Sequence, residues 1–198
     1  MPITPSPAPP ILRRALDEVA PHRRAVAWAS PVAALWAVWA SGPGWATPAV
    51  VVAAVAGVAL FAVDARSHRL PDAITVPTTV AVAALLLVAA LAGGTWDAAL
   101  RALLGALALA GGYLALHLIN RAGLGLGDVK LAVLLGLVSA WFGWPALGAT
   151  AFLPFLVGGV VAIVLLATRR ATRTTAIAFG PYMLVGAALA LTGARLVA

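Results

Sequence analysis

The sequence predicts an all-α fold, a polytopic bundle of about seven membrane-spanning helices, and three observations carry that expectation. The first is composition: of 198 residues, 63% are hydrophobic and only 10% charged, with a mean hydropathy of +1.04. A soluble domain is nearer half apolar and a quarter charged. The second is a series of apolar runs, each close to the roughly 20 residues a helix needs to cross hydrocarbon. The third is that basic residues cluster on alternate connections between those runs.

Residues 1–24 read as a Pro/Arg-rich tail on the cytoplasmic side, with prolines at positions 2, 5, 7, 9 and 10 in an extended segment. Within it, residues 11–20 suit a short interfacial helix, because Ile11, Leu12, Leu16 and Val19 roughly share a face. The basic stretch before an apolar run has the outline of a signal peptide. Its cleavage-site pattern is poor and more spans follow, so the tail is expected to be retained. Residues 25–198 form the membrane unit, with spans at about 25–41, 47–63, 74–92, 98–119, 129–142, 146–167 and 177–197. The first run contains Pro31 and the fifth is short. Gly42 to Gly44, Gly93–Gly94 and Gly143 to Pro145 punctuate the others.

With the N-terminus inside, the inner segments hold Arg13, Arg14, Arg23, Arg24, Arg66, Arg69, Arg121, Lys130, Arg169, Arg170 and Arg173, and the outer ones only Arg101 and Arg195. Eleven of thirteen basic residues on one side set the orientation under the positive-inside rule. The net charge of +7 is therefore an anchoring feature and no nucleic-acid footprint. Most of the seven tryptophans sit near span ends, as an aromatic belt requires. Cysteine is absent, which excludes disulfides, a thiolate metal site and a cysteine nucleophile. Three scattered histidines have no metal-ligand spacing, so no metal and no cofactor are expected.

Two acids stand out. Asp128 lies in the glycine-rich stretch Gly123 to Lys130, read as a loop, with apolar runs on both sides of it. Asp64 ends a run 64 residues earlier. Ionisable groups at the membrane are costly and usually mark chemistry, a transport path or a structural pair. Two carboxylates at one membrane face can hydrolyse a peptide without a covalent intermediate. Like charges a few ångströms apart resist joint ionisation, so the pair shares a proton. The ionised member then takes a proton from water while the protonated one donates to the carbonyl oxygen and later to the leaving amine. Glycines at 125 and 127 permit close backbone approach by a substrate strand or partner helix.

The remaining groups admit plainer roles. Asp64 alone suits a pair with Arg66 or Arg69. Asp72 after Pro71 suits a helix cap, and Asp97 a cap or a solvated charge. His117 suits a satisfied packing role. Lys130 suits a position beside Asp128 or the substrate carbonyl, or an anchor to lipid headgroups. Gly180 and Pro181 suit a helix start.

Three stretches together resemble the bacterial prepilin peptidases (type IV leader peptidases), relatives of the archaeal preflagellin peptidases among the GxGD aspartyl proteases. They are Asp64 with Leu70 to Pro77 (LPDAITVP), Gly125 to Lys130 (GLGDVK), and Phe179 to Tyr182 (FGPY). The resemblance implies that Asp64 and Asp128 are the catalytic pair and Asp72 a non-catalytic acid. Gly125, Gly127, Lys130, Gly180 and Pro181 then bind substrate or shape the loops around it. It also implies cleavage of the short basic leader of type IV prepilins or pseudopilins at the cytoplasmic face of the inner membrane. Many members add N-methylation through a domain with paired CxxC zinc motifs. A cysteine-free chain has no such motifs, so peptidase activity alone is expected. The alternative from another class is a small proton- or cation-coupled transporter using the same carboxylates. It calls for acids near the membrane midplane and inverted repeats, and neither is visible.

Overall fold

In the computed structural model, residues 10–121, 123–169 and 178–197 are described. The tail's prolines at 2, 5, 7 and 9, Arg170, Arg173 and the first residue of the expected last span, Ile177, lie outside them. Among the described residues there are eight α-helices and no strand: α1 Ile11–Val19, α2 Arg23–Ser41, α3 Thr47–Ser67, α4 Asp72–Gly93, α5 Trp96–Ile119, α6 Leu126–Phe142, α7 Trp144–Ala167 and α8 Gly180–Leu196. A short 3₁₀ turn, Ala20–His22, joins the first two. Four helices, α3, α4, α5 and α7, are long and apolar enough to cross a membrane. Their surfaces expose side chains such as Leu91, Leu107, Phe152 and Ile163. Water tolerates no apolar belt of that extent, and lipid requires it. The chain is a multi-pass membrane protein.

The expected spans correspond to α2–α8, but most of these helices run past the apolar runs. Asp64 lies inside α3, in its last turn, and Asp128 inside α6. The glycine-rich stretch is thus a loop only as far as Gly125. An apolar run marks where lipid begins, whereas a helix continues as long as its backbone groups find partners. At α6 the partner is local: the Gly125 N–H donates to Asp128 Oδ2 at 2.9 Å, so the acid at the third position closes the helix start. α2 is continuous through Pro31.

Close packing depends on residues without bulk, as expected where helices meet in lipid. α5 and α6 approach backbone to backbone. A Cβ at Gly136 would meet Ala106 Cα at 2.6 Å, and one at Gly105 would overlap the Ala140 methyl. α7 and α8 meet in the same way, with Gly186 against the Pro154 ring and backbone. One buried polar pair, Ser139 with Thr150 at 2.7 Å, links α6 to α7.

The two ends of the bundle differ. At one end the α2–α3, α4–α5 and α6–α7 junctions carry the exposed Trp45, Trp96 and Trp144. Arg101, half-buried on α5, donates from Nε to the Ala140 carbonyl at 2.7 Å and from Nη2 to the Trp141 carbonyl at 2.6 Å. These are last-turn carbonyls of α6, so Arg101 caps that helix and opposes its dipole. At the other end lie α1, the α3–α4 turn and the starts of α6 and α8.

Candidate active site

Asp64 and Asp128 are 4% and 8% exposed. They line one cavity of about 530 Å³ with Glu18, Ser67 to Asp72, Gly125 and Gly127. Asp64 reaches it because α3 ends there: His68 adopts the left-handed conformation at φ 52° and its N–H closes on the Asp64 carbonyl at 2.9 Å. The turn that follows delivers Leu70 between the two acids' neighbours. Its side chain would meet a Cβ on Gly127 at 3.0 Å and one on Gly180 at 3.3 Å. A Cβ on Gly180 would also stand 2.5 Å from Asp64 Oδ2. Glycine at 127 and 180 therefore lets α6 and α8 close on one leucine and one carboxylate.

Asp64 Oδ2 is buried and has no hydrogen-bond partner among the described residues. Leaving a buried carboxylate oxygen unmatched is expensive, on the order of 1–3 kcal/mol or more, and such a group calls for an external partner such as water or substrate. Asp128, by contrast, is held at one oxygen by Gly125. The two acids are similar in type and differ in restraint.

The start of α8 is set by an aromatic cluster in which Phe179 of the FGPY stretch meets residues that no motif announces. Phe179 packs on Phe155 of α7 with ring centres 5.1 Å apart and on Tyr113 of α5 at 6.1 Å. Pro181 occupies the first turn. Together they place Gly180 against Asp64. The buried Tyr113 hydroxyl, like Asp64 Oδ2, has no partner among the described residues. On the same helix His117 Nδ1 donates to the Leu124 carbonyl at 2.6 Å, which holds the chain just before Gly125. A carbonyl only accepts, so the hydrogen resides on Nδ1.

Several expectations about neighbouring residues are corrected. Asp72 makes no side-chain cap: Pro71 is the N-cap of α4, and the Asp72 carboxylate instead takes Lys130 Nζ at 2.7 Å on both oxygens. Lys130 therefore engages Asp72 rather than Asp128, because residues two apart on a helix point to different faces. That ion pair is the only one among the described residues, so Asp64 pairs with neither Arg66 nor Arg69. Asp97 makes no side-chain cap on α5 and is a solvated charge. Among the described residues no group of three or more His, Asp or Glu side chains is placed to hold a metal ion.

Fold and site together define a multi-pass helical membrane protein with two buried aspartates sharing a polar cavity at one end. The chain belongs to the Type IV leader peptidase family, which it matches over residues 50–163. It is similar to the prepilin leader peptidase/N-methyltransferase of Aeromonas salmonicida (strain A449), 36% identical over 156 residues, 75% of this chain and 50% of that protein. It is likewise similar to the protein of the same name from Pseudomonas aeruginosa, 32% identical over 160 residues, 79% of this chain and 53% of that one. The chain spans about half the length of these relatives. No solved structure matches it.

Proposed function

We propose that this chain is a membrane-embedded aspartyl endopeptidase that cleaves the leader peptides of type IV prepilins or pseudopilins. Residues 25–198 are its catalytic membrane unit. One observation carries the reading: two aspartates from separate helices are buried in one cavity, and Asp64 keeps an oxygen there that no described residue matches. Family membership supports the same substrate class. A water between the carboxylates loses its proton to the ionised member as it attacks the scissile carbonyl. The other member protonates the carbonyl oxygen and then the departing amine. No cofactor enters this sequence.

The basic residues support seven spans with the N-terminus and both aspartates on the cytoplasmic side of the inner membrane. A prepilin then keeps its apolar helix in the bilayer and offers the leader junction at the level of the cavity. The absence of cysteine supports peptidase activity without N-methylation by this chain. Location of the acids at helix ends, with water access, favours hydrolysis over a transport path through the midplane.

Co-expression with a prepilin from the same genome, read by gel shift and mass spectrometry, tests the proposal. Asp64→Asn and Asp128→Asn each abolish processing while membrane insertion persists, and Asp97→Asn processes normally. Processing that survives in both cavity variants would sink the paired-carboxylate mechanism.

A further inference from the structure

Among the described residues two buried side-chain polar atoms have no hydrogen-bond partner, Asp64 Oδ2 and the Tyr113 hydroxyl. Hydrolysis gives the first a use, and the second has none so far. Tyr113 is 2% exposed, and its ring stacks on Phe155 at 5.9 Å and packs on Phe179 at 6.1 Å. Both neighbours are phenylalanines, and a phenylalanine at 113 would offer them the same ring. A hydroxyl buried without a partner loses its bonds to water and gains nothing in return. Packing therefore explains the ring and leaves the oxygen unexplained.

The position of that oxygen follows from the α5–α6 seam. Tyr113 shares the buried face of α5 with Gly105, Ala106 and Leu109, and Gly105 and Ala106 are where α6 comes closest. Steps of four residues along α5 are answered by steps of four back along α6 and the chain before it. Arg101 meets Ala140, Gly105 meets Gly136 and His117 meets Leu124. The same register sets Tyr113 level with Asp128. One turn beyond Tyr113, His117 fixes the chain that leads into Gly125, and the Gly125 N–H engages one of the two Asp128 oxygens. On its other side, Tyr113 supports Phe179, whose neighbour Gly180 lies against Asp64 Oδ2. A buried donor is thus carried between the supports of both acids. An ionised carboxylate only accepts, and a phenol donates to it.

We propose that Tyr113 is a positioning residue for Asp128: with substrate in the cavity, its hydroxyl donates to the Asp128 oxygen that Gly125 does not engage and fixes that carboxylate for reaction. The proposal rests on the hydrolytic reading for the reaction it serves. Hydrogen bonds of this kind are often long or unmade in a resting site and tighten when substrate fills it. Tyr113 acts through Asp128 and does not touch the scissile bond. The hydroxyl destabilises the resting protein slightly and favours the working one, so stability and turnover respond to its loss in opposite directions.

The test uses the full chain in detergent and a purified prepilin from the same genome. Tyr113→Phe keeps the ring and removes only the hydroxyl. Its kcat is expected to fall about 10–100-fold, the range for losing one hydrogen bond to a charged group. KM should change far less, and the thermal midpoint should hold or rise. A purely structural tyrosine would lower kcat and midpoint together, or neither. Tyr113 and Tyr182 are the only tyrosines, so fluorotyrosine labelling gives two fluorine NMR resonances, assigned with Tyr182→Phe. In the Asp64→Asn form, prepilin should shift the Tyr113 resonance. The shift should shrink when Asp128→Asn is added, because a neutral amide accepts more weakly than a carboxylate. Native kcat in Tyr113→Phe, or a kcat loss matched by a falling midpoint, overturns the positioning role while cleavage stands. A Tyr113 resonance that ignores prepilin, or moves equally without the Asp128 carboxylate, does the same. A shift that depends on Asp128, with no cleavage by the native chain, keeps the contact and overturns the hydrolytic reading. Neither shift nor cleavage overturns both.

Discussion

α6 carries a charge problem at each end, and the two ends solve it differently. At its C-terminus Arg101 reaches across from α5 and meets two orphan carbonyls, so cation and helix end satisfy each other. At its N-terminus Asp128 is tied to Gly125, but Asp64, which lines the same cavity, keeps an oxygen with no partner among the described residues. A buried charge whose hydrogen bonds are complete is architecture. One that is left incomplete, in a cavity open to water, is a place where something else must bind. The Arg101 end is built to be finished, and the Asp64 end to receive.

The largest expected effect breaks that contrast. Asp64→Asn or Asp128→Asn should each lower leader processing by about 10²–10⁴-fold, the range of acid–base contributions. The double variant should be scarcely worse than either, since the two act as a unit. Arg101→Met should leave kcat of the folded protein unchanged. A large kcat loss there would erase the distinction between the ends.

Next comes Gly180→Ala. The added methyl stands 2.5 Å from Asp64 Oδ2, so carboxylate or α8 must shift. A displacement approaching 1 Å costs activity on the order of 10²-fold, with little change in thermal midpoint. Native activity in this variant would show that the Gly180 contact does not position Asp64.

Stability effects follow. Gly136→Ala should destabilise by about 1–3 kcal/mol through overpacking against Ala106, and Gly111→Ala, which meets nothing within 4 Å, should be near neutral. Arg101→Met should cost a similar 1–3 kcal/mol by stranding the Ala140 and Trp141 carbonyls. Both are readable as loss of midpoint in detergent melts. The smallest change belongs to Lys130→Met, since its pair with Asp72 is about half exposed on both sides. Exposed pairs contribute less than about 1 kcal/mol. A drop as large as that of Arg101→Met would mean the pair braces α4 against α6.

Which of these features sequence alone discloses follows from range. Asp64 and Asp128 were legible because an acid beside an apolar run is conspicuous without knowing its neighbours. The FGP stretch was legible as a helix start, but the reason for its glycine lay in Asp64, 116 residues earlier. Asp72 was misread as a cap because its partner, Lys130, lies 58 residues away. Arg101 carried no signal, since its role depends on carbonyls 39 and 40 residues downstream. Leu70 and Tyr113 are ordinary residues for a membrane helix or its turn, and only contact gives them a task.

The sequence by itself determined that the chain is helical and lies in a membrane, where the apolar runs fall and which acids stand apart. Hydropathy and charge act locally and need no partner to be read. Tertiary structure alone decided how far each helix continues past its apolar run, that the two acids share a cavity and that one oxygen is left unmatched. It alone also put α1 and its carboxylates beside them. Those outcomes depend on which backbone and side-chain groups meet across the bundle, and pairing between distant segments is settled by packing.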